Sequence, residues 1–427
     1  MIRARFTLAA ALALEAPSLL AAAPPARKTE AAAFETKVFE NLEWRQLGPA
    51  SMQGRCTDVE GIPGDPSTVY VAAASGGVWK TGNAGTTWTP IFDKEAVQSI
   101  GDIALDPTNP DVLYVGTGEA NLRNSVSFGD GVYKSTDGGK TWKNLGLKDT
   151  EHVARIVVNP RDSQKVYVAA TGHAFGPNPE RGVFMSTNGG QSFDKVLYLD
   201  DQHGAADVDI DPANPNILFA TMWRFERKPW TFTSGSERSG LYRSTDGGRT
   251  WGKVEKGLPK LVGRMGVKVA PGNPKVVYVS VEANEGSIYR SDDGGESFNL
   301  ASKNLNLVGR GPYYADLRVD PKDENRVYAI SFSLHLSTDG GKTFKVISQN
   351  GHGDYQTVWI DPLNPNRVWN GDDGGVAVSY DRGAKWQDVT NLPVGQFYQV
   401  YADNRQPFYF LGGGLQDNSC WYGPSRT

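Results

Sequence analysis

Cysteine, histidine and long apolar stretches are all scarce in this chain. Its 427 residues include two cysteines, Cys56 and Cys420, and five histidines. Two cysteines are too few for a disulfide framework; an oxidising compartment would permit them to pair, and that alternative stays open at this point. The histidines are scattered without metal-ligand spacing, so we predict neither a metal nor another cofactor.

A strong charge of either sign is also absent. The chain has 44 lysine and arginine residues against 48 aspartate and glutamate residues, for a net charge of −4. No block of like charges occurs, which argues against a nucleic-acid partner. The sequence contains no G-x-S-x-G elbow, no H-E-x-x-H and no Walker loop, so the hydrolase and nucleotide-binding classes with those motifs are not indicated.

The N-terminus has the features of an export signal. Arg3 and Arg5 precede a nine-residue apolar run at 6–14, and three alanines at 21–23 offer small residues for cleavage. The run is far shorter than the roughly 20 residues that a membrane-spanning helix needs. We predict a signal peptide at 1–23, a linker at 24–41, and a periplasmic or secreted protein that does not span a membrane.

An eight-residue pattern that returns seven times dominates the rest of the chain. A representative copy is STDGGRTW at 244–251, with close relatives at 135–142, 186–193, 291–298 and 337–344 and looser ones at 81–88 and 379–386. The closing aromatic residues of successive copies are 42 to 58 residues apart. A period in this range is typical of a propeller or another repeat array.

The chemistry of the pattern predicts a tight turn between two strands. Its short acidic side chain accepts hydrogen bonds from backbone N–H groups downstream, and its glycines adopt the positive φ that the turn requires. The final Trp or Phe begins a strand and supplies a large apolar side chain for packing between units. We interpret the pattern as structural.

Each unit divides into four strands, A to D. In the second unit we predict strand A at 100–105, B at 112–116, C at 131–135 and D at 141–145. The repeated pattern joins C to D, and proline-rich turns such as DPTNP at 106–110 join A to B. Four antiparallel strands repeated in a ring form a β-propeller, so we predict an all-β propeller with seven such units over 42–395.

Two incomplete pieces flank the seven units. Residues 44–49 (WRQLGP) match a lone strand D, whereas residues 396–427 hold strands A, B and C without D. Either the two pieces combine into an eighth blade that closes the ring, or residues 396–427 are the opening of a second propeller.

Strand alternation assigns the connections to two faces. The A–B and C–D turns share one face, and the B–C and D–A connections share the other, which we call the loop face. The longest B–C loops lie at 117–130, 171–181 and 221–239, so we predict function on the loop face. Aromatic rings there would stack on sugars, and polar side chains would bind hydroxyl or carboxylate groups.

The candidate residues fall into two sets. Hydrolysis of a glycoside needs two carboxyl groups roughly 5–10 Å apart, and the catalytic candidates are Glu119, Asp130, Asp354 and Asp417. The candidates for binding a glycan or peptide are Arg55, Asn121, Arg155, His173, Trp223, Arg227, Trp230, Arg264, Arg310 and Gln416. A structural alternative is that the arginines satisfy loop carbonyls and pair with the carboxylates.

The repeated pattern resembles the Asp-box, Ser-x-Asp-x-Gly-x-Thr-Trp, of bacterial-neuraminidase-type (BNR) repeats. The chain is similar over about 42–422 to secreted bacterial BNR propellers of the glycosyl-hydrolase-like or sortilin-like kind, including GTGEAN at 116–121 and GLQDN at 414–418. The resemblance implies a propeller with a glycan-directed role, as hydrolase or carbohydrate binder. The alternative is a sortilin-like or assembly-factor-like scaffold that binds proteins.

The sequence departs from one branch of that group. In the xyloglucanases that it resembles, an aspartate directly precedes the Gly-Gly that opens strand C of the first repeat, whereas Ser75 precedes Gly76 and Gly77 here. Those enzymes also form their cleft with a second propeller, which this chain does not contain. Similar full-length proteins are usually longer, so a fragment or a shortened relative is a further alternative.

Overall fold

A computed structural model describes residues 53–348 and 352–426, all within a compact unit formed by Leu47–Thr427. The predicted signal peptide, the linker and the lone strand at 44–49 lie outside the described residues. Within the described ranges the structure is β-strand and turn, with two short 3₁₀ helices at Lys148–Thr150 and Leu305–Val308 and no α-helix. The all-β prediction is confirmed.

The strands group into eight antiparallel sheets that follow one another along the chain. Sheet one comprises β1 (Cys56–Gly61), β2 (Val69–Ala73), β3 (Val78–Thr81) and β4 (Thr89–Pro90). Sheet two comprises β5 (Ile100–Asp106), β6 (Asn109–Thr117), β7 (Val132–Ser135) and β8 (Lys143–Asn144). Sheet three comprises β9 (Val153–Val158), β10 (Val166–Ala170), β11 (Gly182–Ser186) and β12 (Asp194–Leu197).

Sheet four is the largest, because a fifth strand extends it on the loop face. It comprises β13 (His203–Ile210), β14 (Leu218–Lys228), β15 (Thr231–Ser234), β16 (Gly240–Ser244) and β17 (Gly252–Lys253). Sheet five comprises β18 (Met265–Val269), β19 (Val277–Val281), β20 (Ile288–Ser291) and β21 (Asn299–Ser302).

The last three sheets include an incomplete one. Sheet six comprises β22 (Asp316–Asp320), β23 (Asp323–Ile330), β24 (Leu334–Ser337) and β25 (Lys345–Val346). Sheet seven comprises β26 (Thr357–Ile360), β27 (Val368–Asp372), β28 (Gly375–Ser379) and β29 (Gln387–Val389). Sheet eight is the incomplete one and comprises β30 (Tyr401–Ala402), β31 (Phe410–Gly414) and β32 (Cys420–Pro424). The predicted A, B and C strands at the end of the chain are therefore present as a three-stranded sheet.

The first strands of sheets one to seven contact one another in order, and that of sheet seven contacts that of sheet one. Side chains seal this last junction, because Val59 and Trp79 share an apolar cluster with Trp359 and Trp369. Four of the second strands, β2, β10, β19 and β27, are buried along their whole length; the sequence of β10 is VYVAA. Alternating β-branched and aromatic residues suit strands that pack on both faces.

Tyrosine hydroxyls couple sheet two to sheet three and sheet three to sheet four. The Tyr114 hydroxyl in β6 donates to the Gly189 carbonyl at 3.2 Å, and the Tyr167 hydroxyl in β10 donates to the Gly247 carbonyl at 3.0 Å. Both acceptors lie in the Asp-box of the following sheet. These two boxes therefore close their own turns and also receive a hydrogen bond from the sheet before them.

The box at 244–251 has the predicted turn geometry. Ser244 Oγ accepts the Gly248 N–H at 2.9 Å and donates to Asp246 Oδ1 at 2.8 Å. Thr250 donates to Asp246 through its N–H at 2.9 Å and its hydroxyl at 2.6 Å, which holds the pKa of Asp246 below its usual range. Gly247 and Gly248 have φ of +76° and +84°, so both positions favour glycine.

The buried hydroxyl of Ser244 gives a test of this turn. In Ser244→Ala the buried Gly248 N–H loses its acceptor, so we expect the free energy of unfolding to fall by about 1–3 kcal/mol. Thr245→Ala is the matched control, since Thr245 is exposed in the same turn. Urea denaturation followed by tryptophan fluorescence measures both; equal stability of the two variants would contradict the structural role of the hydroxyl.

The two cysteines are free thiols, Cys56 buried and Cys420 exposed. Burial raises the pKa of the Cys56 thiol well above its usual value. The pairing that the sequence left open is therefore not formed in this structure.

Candidate functional site

The loop face carries a buried ion-pair cluster built from the residue before β1, the β6–β7 loop and the β27–β28 turn. Arg55 donates Nη1 to Glu119 Oε1 and Nη2 to Asp373 Oδ2, each at 2.6 Å. Arg123 Nε donates to the other oxygen of Glu119 at 3.0 Å. All four side chains are buried, and Glu119 has no exposed surface. We call these four residues the anchor cluster.

The anchor cluster joins the seven packed sheets to the three-stranded sheet. Arg123 donates to Gln416 through Nη1 and to Gln396 through Nη2, the latter at 2.9 Å. Asn418 donates Nδ2 to the Asp373 carbonyl at 2.7 Å. Gln416, a predicted binding residue, is therefore engaged in holding the three-stranded sheet in place.

Gln356 extends the anchor cluster toward the central channel, the space surrounded by the first strands of sheets one to seven. It donates Nε2 to Asp373 Oδ1 at 2.9 Å and accepts a hydrogen bond from Asn121 Nδ2. Burial raises the pKa of Asp373, and the Arg55 ion pair opposes that rise. Burial also raises the pKa of neighbouring Asp372 to about 7. Both carboxyl groups are buried, so neither is presented to a ligand.

Asp354 lies on the same side of the loop face, just before β26. The Tyr314 hydroxyl donates to Asp354 Oδ1, and Arg310 Nη1 lies 3.3 Å from Oδ2. Arg310 is exposed and stacks over Phe332, 5.7 Å from the ring centroid. This corner offers a carboxylate, a guanidinium and an exposed aromatic ring together.

The remaining catalytic candidates have different surroundings. Asp417 is exposed in the turn between β31 and β32, and its carbonyl lies 3.1 Å from His352 Nε2. Asp130 instead accepts the Tyr133 hydroxyl at 2.8 Å, within sheet two. The structure thus brings Glu119, Asp354 and Asp417 into or next to one polar network and leaves Asp130 outside it.

Arg155 lies in the central channel and pairs with carboxylates on three of the first strands that surround it. Its guanidinium donates to Asp102 Oδ1 at 2.9 Å, to Asp207 Oδ1 at 3.1 Å and to Asp316 Oδ2 at 2.8 Å. These residues line a cavity of about 30 Å³, room for about one water molecule. Arg264 also lines the cavity and donates Nη1 to the carbonyl of Tyr313 at 2.6 Å. At the level of this cavity the channel is therefore nearly filled by paired charges, whereas a cavity of about 690 Å³ lies on another side of Arg155.

The prediction that Trp223 stacks on a ligand is wrong, because its side chain is fully buried. Its ring centroid lies 4.5 Å from that of Phe225 and 6.0 Å from that of Phe232. The β14–β15 hairpin folds over the indole, so Trp223 forms the core of this extension.

Trp230 lies at the tip of the same hairpin and is 81% exposed. Arg227 holds the hairpin against the loop of sheet two by donating Nη2 to the Leu122 carbonyl at 3.0 Å and Nη1 to Asn124 Oδ1 at 2.5 Å. Arg227 also lies over the Phe232 ring at 4.5 Å. The predicted binding residue Arg227 thus fixes the element that presents Trp230.

His173 remains on the surface of the loop face. Its Nε2 lies 3.1 Å from the Asp149 carbonyl and 3.3 Å from Glu151 Oε1. It thus connects two loops of neighbouring sheets.

Three exposed aromatic residues on this face were not predicted from the sequence. Phe128, Phe175 and Phe332 are 65%, 57% and 57% exposed and lie in the B–C connections of sheets two, three and six. The missed members of the polar network are Arg123, Gln356, Gln396 and Asp373. One signal was available for Asp373, because Asp372-Asp373-Gly374-Gly375 is an acidic pair before the Gly-Gly that opens β28.

Two features are absent from the described ranges. No group of three or more His, Cys, Asp or Glu side chains there is arranged to hold a metal ion. No helix in the same ranges has the length and apolar character needed to cross a membrane.

Comparison with known proteins shows that the chain is similar to Asp-box propellers. A family model described as Sortilin, neurotensin receptor 3 (Sortilin-Vps10) matches residues 130–258. A xyloglucanase of Paenibacillus sp. is 22% identical over 346 residues, covering 71% of this chain and 32% of the relative. The xyloglucanase of Hypocrea jecorina is 25% identical over 363 residues, covering 73% and 41%.

The resemblance to BNR/Asp-box propellers of the glycosyl-hydrolase-like and sortilin-like kind is confirmed. Solved structures agree on the fold. The GH74 xyloglucanase from Xanthomonas campestris has a TM-score of 0.63 at 18% identity and covers 87% of this chain and 59% of that one. The chain spans 32–43% of the length of the xyloglucanases compared by sequence.

A relative of another class is the photosystem II assembly lipoprotein Ycf48 of Nostoc sp., 30% identical over 169 residues, which are 34% of this chain and 48% of that protein. The structure of YCF48 bound to D1 peptide has a TM-score of 0.52 at 14% identity and covers 80% of this chain and 98% of that one. The same fold therefore also occurs in a protein that binds a peptide.

Proposed function

We propose that this chain is an exported glycan-binding propeller that takes up a polysaccharide on its loop face. The observation that carries the proposal is the set of exposed aromatic side chains there, Phe128, Phe175, Trp230 and Phe332. Exposed rings are costly in water unless a partner covers them. Sugar rings are suitable partners, since their C–H faces pack on aromatic rings while their hydroxyls bind polar groups nearby.

The polar groups beside these rings support a neutral, hydroxyl-rich ligand. Asp354 and Arg310 form a part-exposed pair next to Phe332. Such a pair both accepts and donates hydrogen bonds, as hydroxyl groups require. The relatives compared by sequence are named xyloglucanases, which favours xyloglucan as the first ligand to test.

The carboxylates support binding more than hydrolysis by this chain alone. Glu119 pairs with two arginines and has no exposed surface of its own. Its carboxylate therefore has no access to a glycosidic oxygen. Asp130 belongs to sheet two, apart from the network that includes Asp354. Asp354 and Asp417 are the candidates that remain for a catalytic pair.

We further infer that sheets one to seven form the propeller and that residues 396–427 are a partial unit outside its ring. The contact between the inner strands of sheets seven and one supports seven blades. The domain boundaries at 42–395 and 396–427 are part of this proposal, and the anchor cluster is then the joint between the two parts.

Trp230 provides the direct test of glycan binding. We expect xyloglucan to quench the tryptophan fluorescence of the purified chain, and Trp230→Ala to weaken binding about tenfold or more, because stacking is lost at the most exposed ring. Affinity electrophoresis in gels with and without polysaccharide gives an independent measurement.

Tyr380→Ala is the matched control, since Tyr380 is exposed in the Asp-box of sheet seven on the opposite face. Equal binding by wild type and Trp230→Ala would overturn the proposed site. Release of reducing ends by the wild type would make the chain a hydrolase, and loss of that release in Asp354→Asn or Asp417→Asn would locate its carboxyls. Binding of extended peptides with no response to any glycan would favour a protein-binding scaffold.

A further inference from the structure

Three side chains in and next to sheet four are joined by hydrogen bonds in the order Ser236, His203, Asp200. The glycan proposal assigns no role to them. His203 Nδ1 lies 2.6 Å from Asp200 Oδ1, and His203 Nε2 lies 2.7 Å from Ser236 Oγ. His203 is buried, whereas Asp200 and Ser236 are partly exposed. A hydroxyl, an imidazole and a carboxylate in this order are the parts of a nucleophilic acyl-transfer site.

Two segments of the fold hold the three members. Asp200 lies in the connection from β12 to β13, His203 is the first residue of β13, and Ser236 lies between β15 and β16. Arg238 Nη1 donates to the second oxygen of Asp200 at 2.6 Å, and the Ser236 N–H donates to the Val262 carbonyl at 3.2 Å. The three side chains are thus fixed by backbone and ion-pair contacts of their own.

The protonation states suit the same chemistry. Burial lowers the pKa of His203, although Asp200 opposes the shift. Burial raises the pKa of Asp200, but the hydrogen bonds from His203 and the Gln202 N–H outweigh it and lower the pKa overall. At neutral pH the imidazole is therefore neutral, its Nδ1–H donates to the Asp200 carboxylate, and its Nε2 is free to accept the Ser236 proton.

We propose that Ser236 is the nucleophile of a second, esterase-like site, with His203 as its base and Asp200 as the residue that positions His203. Ser236 Oγ attacks the carbonyl carbon of a carboxylic ester while His203 Nε2 takes the hydroxyl proton. The bond from that carbon to the alkoxy oxygen then breaks, and His203 returns the proton to the departing alcohol. Water, activated by His203, attacks the acyl-serine, releases the carboxylic acid and regenerates the hydroxyl.

The surroundings of Ser236 position its hydroxyl and leave one backbone donor beside it without a partner in the described part of the chain. The N–H groups of Arg238 and Ser239 donate to Ser236 Oγ at 3.2 Å and 3.0 Å and fix its position. The Glu237 N–H follows the nucleophile and makes no hydrogen bond within the described part of the chain. The N–H after the nucleophile is one of the donors that stabilise the oxyanion in serine hydrolases.

The position of Ser236 limits the class of ester. A cavity of about 340 Å³ near Glu237 is lined by the charged residues Lys253, Glu255 and Lys260 as well as by Leu241, Leu258 and Val262, and Ser236 and His203 are not part of its lining. Ser236 is instead partly exposed in its turn. The proposed substrates are therefore small esters of short-chain carboxylic acids, which need no deep acyl pocket. The site is separate from Trp230 and its test is independent of glycan binding.

A fluorophosphonate probe tests the proposal on the purified chain. We expect one adduct per molecule, located by peptide mass spectrometry at Ser236, and a burst of p-nitrophenol from p-nitrophenyl acetate. Ser236→Ala removes both signals. Asp200→Asn keeps the hydrogen-bonding shape but disturbs the imidazole tautomer, so we expect labelling to slow about 10²- to 10⁴-fold.

Thr231→Ala is the matched control, since Thr231 is exposed in β15, five residues before Ser236. It should be labelled at a rate close to wild type. The labelling rate should rise with pH as His203 loses its proton, in the field of Asp200, Arg224 and Arg238, which face it. Failure of the folded wild type to label Ser236 faster than urea-unfolded protein would overturn the proposal, as would equal labelling of Asp200→Asn.

Discussion

Arg155→Met is expected to lower the free energy of unfolding by about 3–5 kcal/mol, the cost of removing one partner from a buried ion cluster. Arg155 is the common partner of Asp102, Asp207 and Asp316. Lys268 still pairs with Asp207 and Arg318 with Asp316 in the variant, but Asp102 keeps only the Ile156 N–H. Urea denaturation at pH 8, followed by tryptophan fluorescence, measures the loss.

The loss from Arg155→Met should shrink as the pH falls. Burial raises the pKa of Asp102 in the folded protein, and Arg155 limits that rise. Without Arg155 the folded-state pKa rises further above the unfolded value, so the variant is penalised most above that pKa and recovers when Asp102 is protonated. The difference between variant and wild type should therefore be larger at pH 8 than at pH 5.

Arg249→Met is the control for this prediction, because Arg249 is exposed in the Asp-box of sheet four. Its stability should match the wild type to within about 0.5 kcal/mol. A loss below about 1 kcal/mol for Arg155→Met at pH 8 would show that the channel carboxylates are solvated well enough to need no guanidinium.

The turns and strands could be predicted because they depend on local chemistry. The Ser-Asp-Gly-Gly pattern contains its own hydrogen-bonding partners within five residues, as Ser244, Asp246 and Gly248 show. Strand D was predicted too long, since β8 covers only Lys143–Asn144. The couplings between sheets were not predictable in the same way, because the acceptor of the Tyr167 hydroxyl lies 80 residues further along the chain.

The site was harder to predict because burial depends on tertiary packing. Trp223 and Trp230 lie seven residues apart in the segment that was predicted as one loop, 221–239. Yet Trp223 is fully buried, and Trp230 is the most exposed large hydrophobic residue among those described. The difference arises from the β14–β15 hairpin, which bends back over Trp223. No period or motif in the sequence specifies that bend.

Polar side chains that are far apart in the chain could not be paired from the sequence for a related reason. Arg123 contacts Gln396 and Gln416 across more than 270 residues, and Ser236 meets His203 from a different segment of the sheet. Nucleophile and base are recognised by geometry rather than by spacing along the chain. The sequence could place these residues on the loop face but could not pair them.

The second large effect is expected at Glu119, where structural and catalytic roles make opposite predictions. Glu119→Gln removes the charge shared by Arg55 and Arg123 while preserving the shape of the side chain. Because all three side chains are buried, we expect the free energy of unfolding to fall by about 3 kcal/mol. A glycosidase acid would instead lose activity with little change in stability.

The consequences of Glu119→Gln should also reach the three-stranded sheet. Arg123 is held by Glu119 and in turn holds Gln396 and Gln416, so hydrogen exchange of the β31 and β32 amides should become faster in the variant, while amides of β10 are little affected. Glu255→Gln, an exposed control, should leave both unchanged. In the double variant Glu119→Gln/Arg123→Met the losses should be less than additive, because the second change removes a charge that the first leaves unpaired. Strict additivity with unaltered exchange in β31 would mean that the anchor cluster does not join the two parts of the molecule.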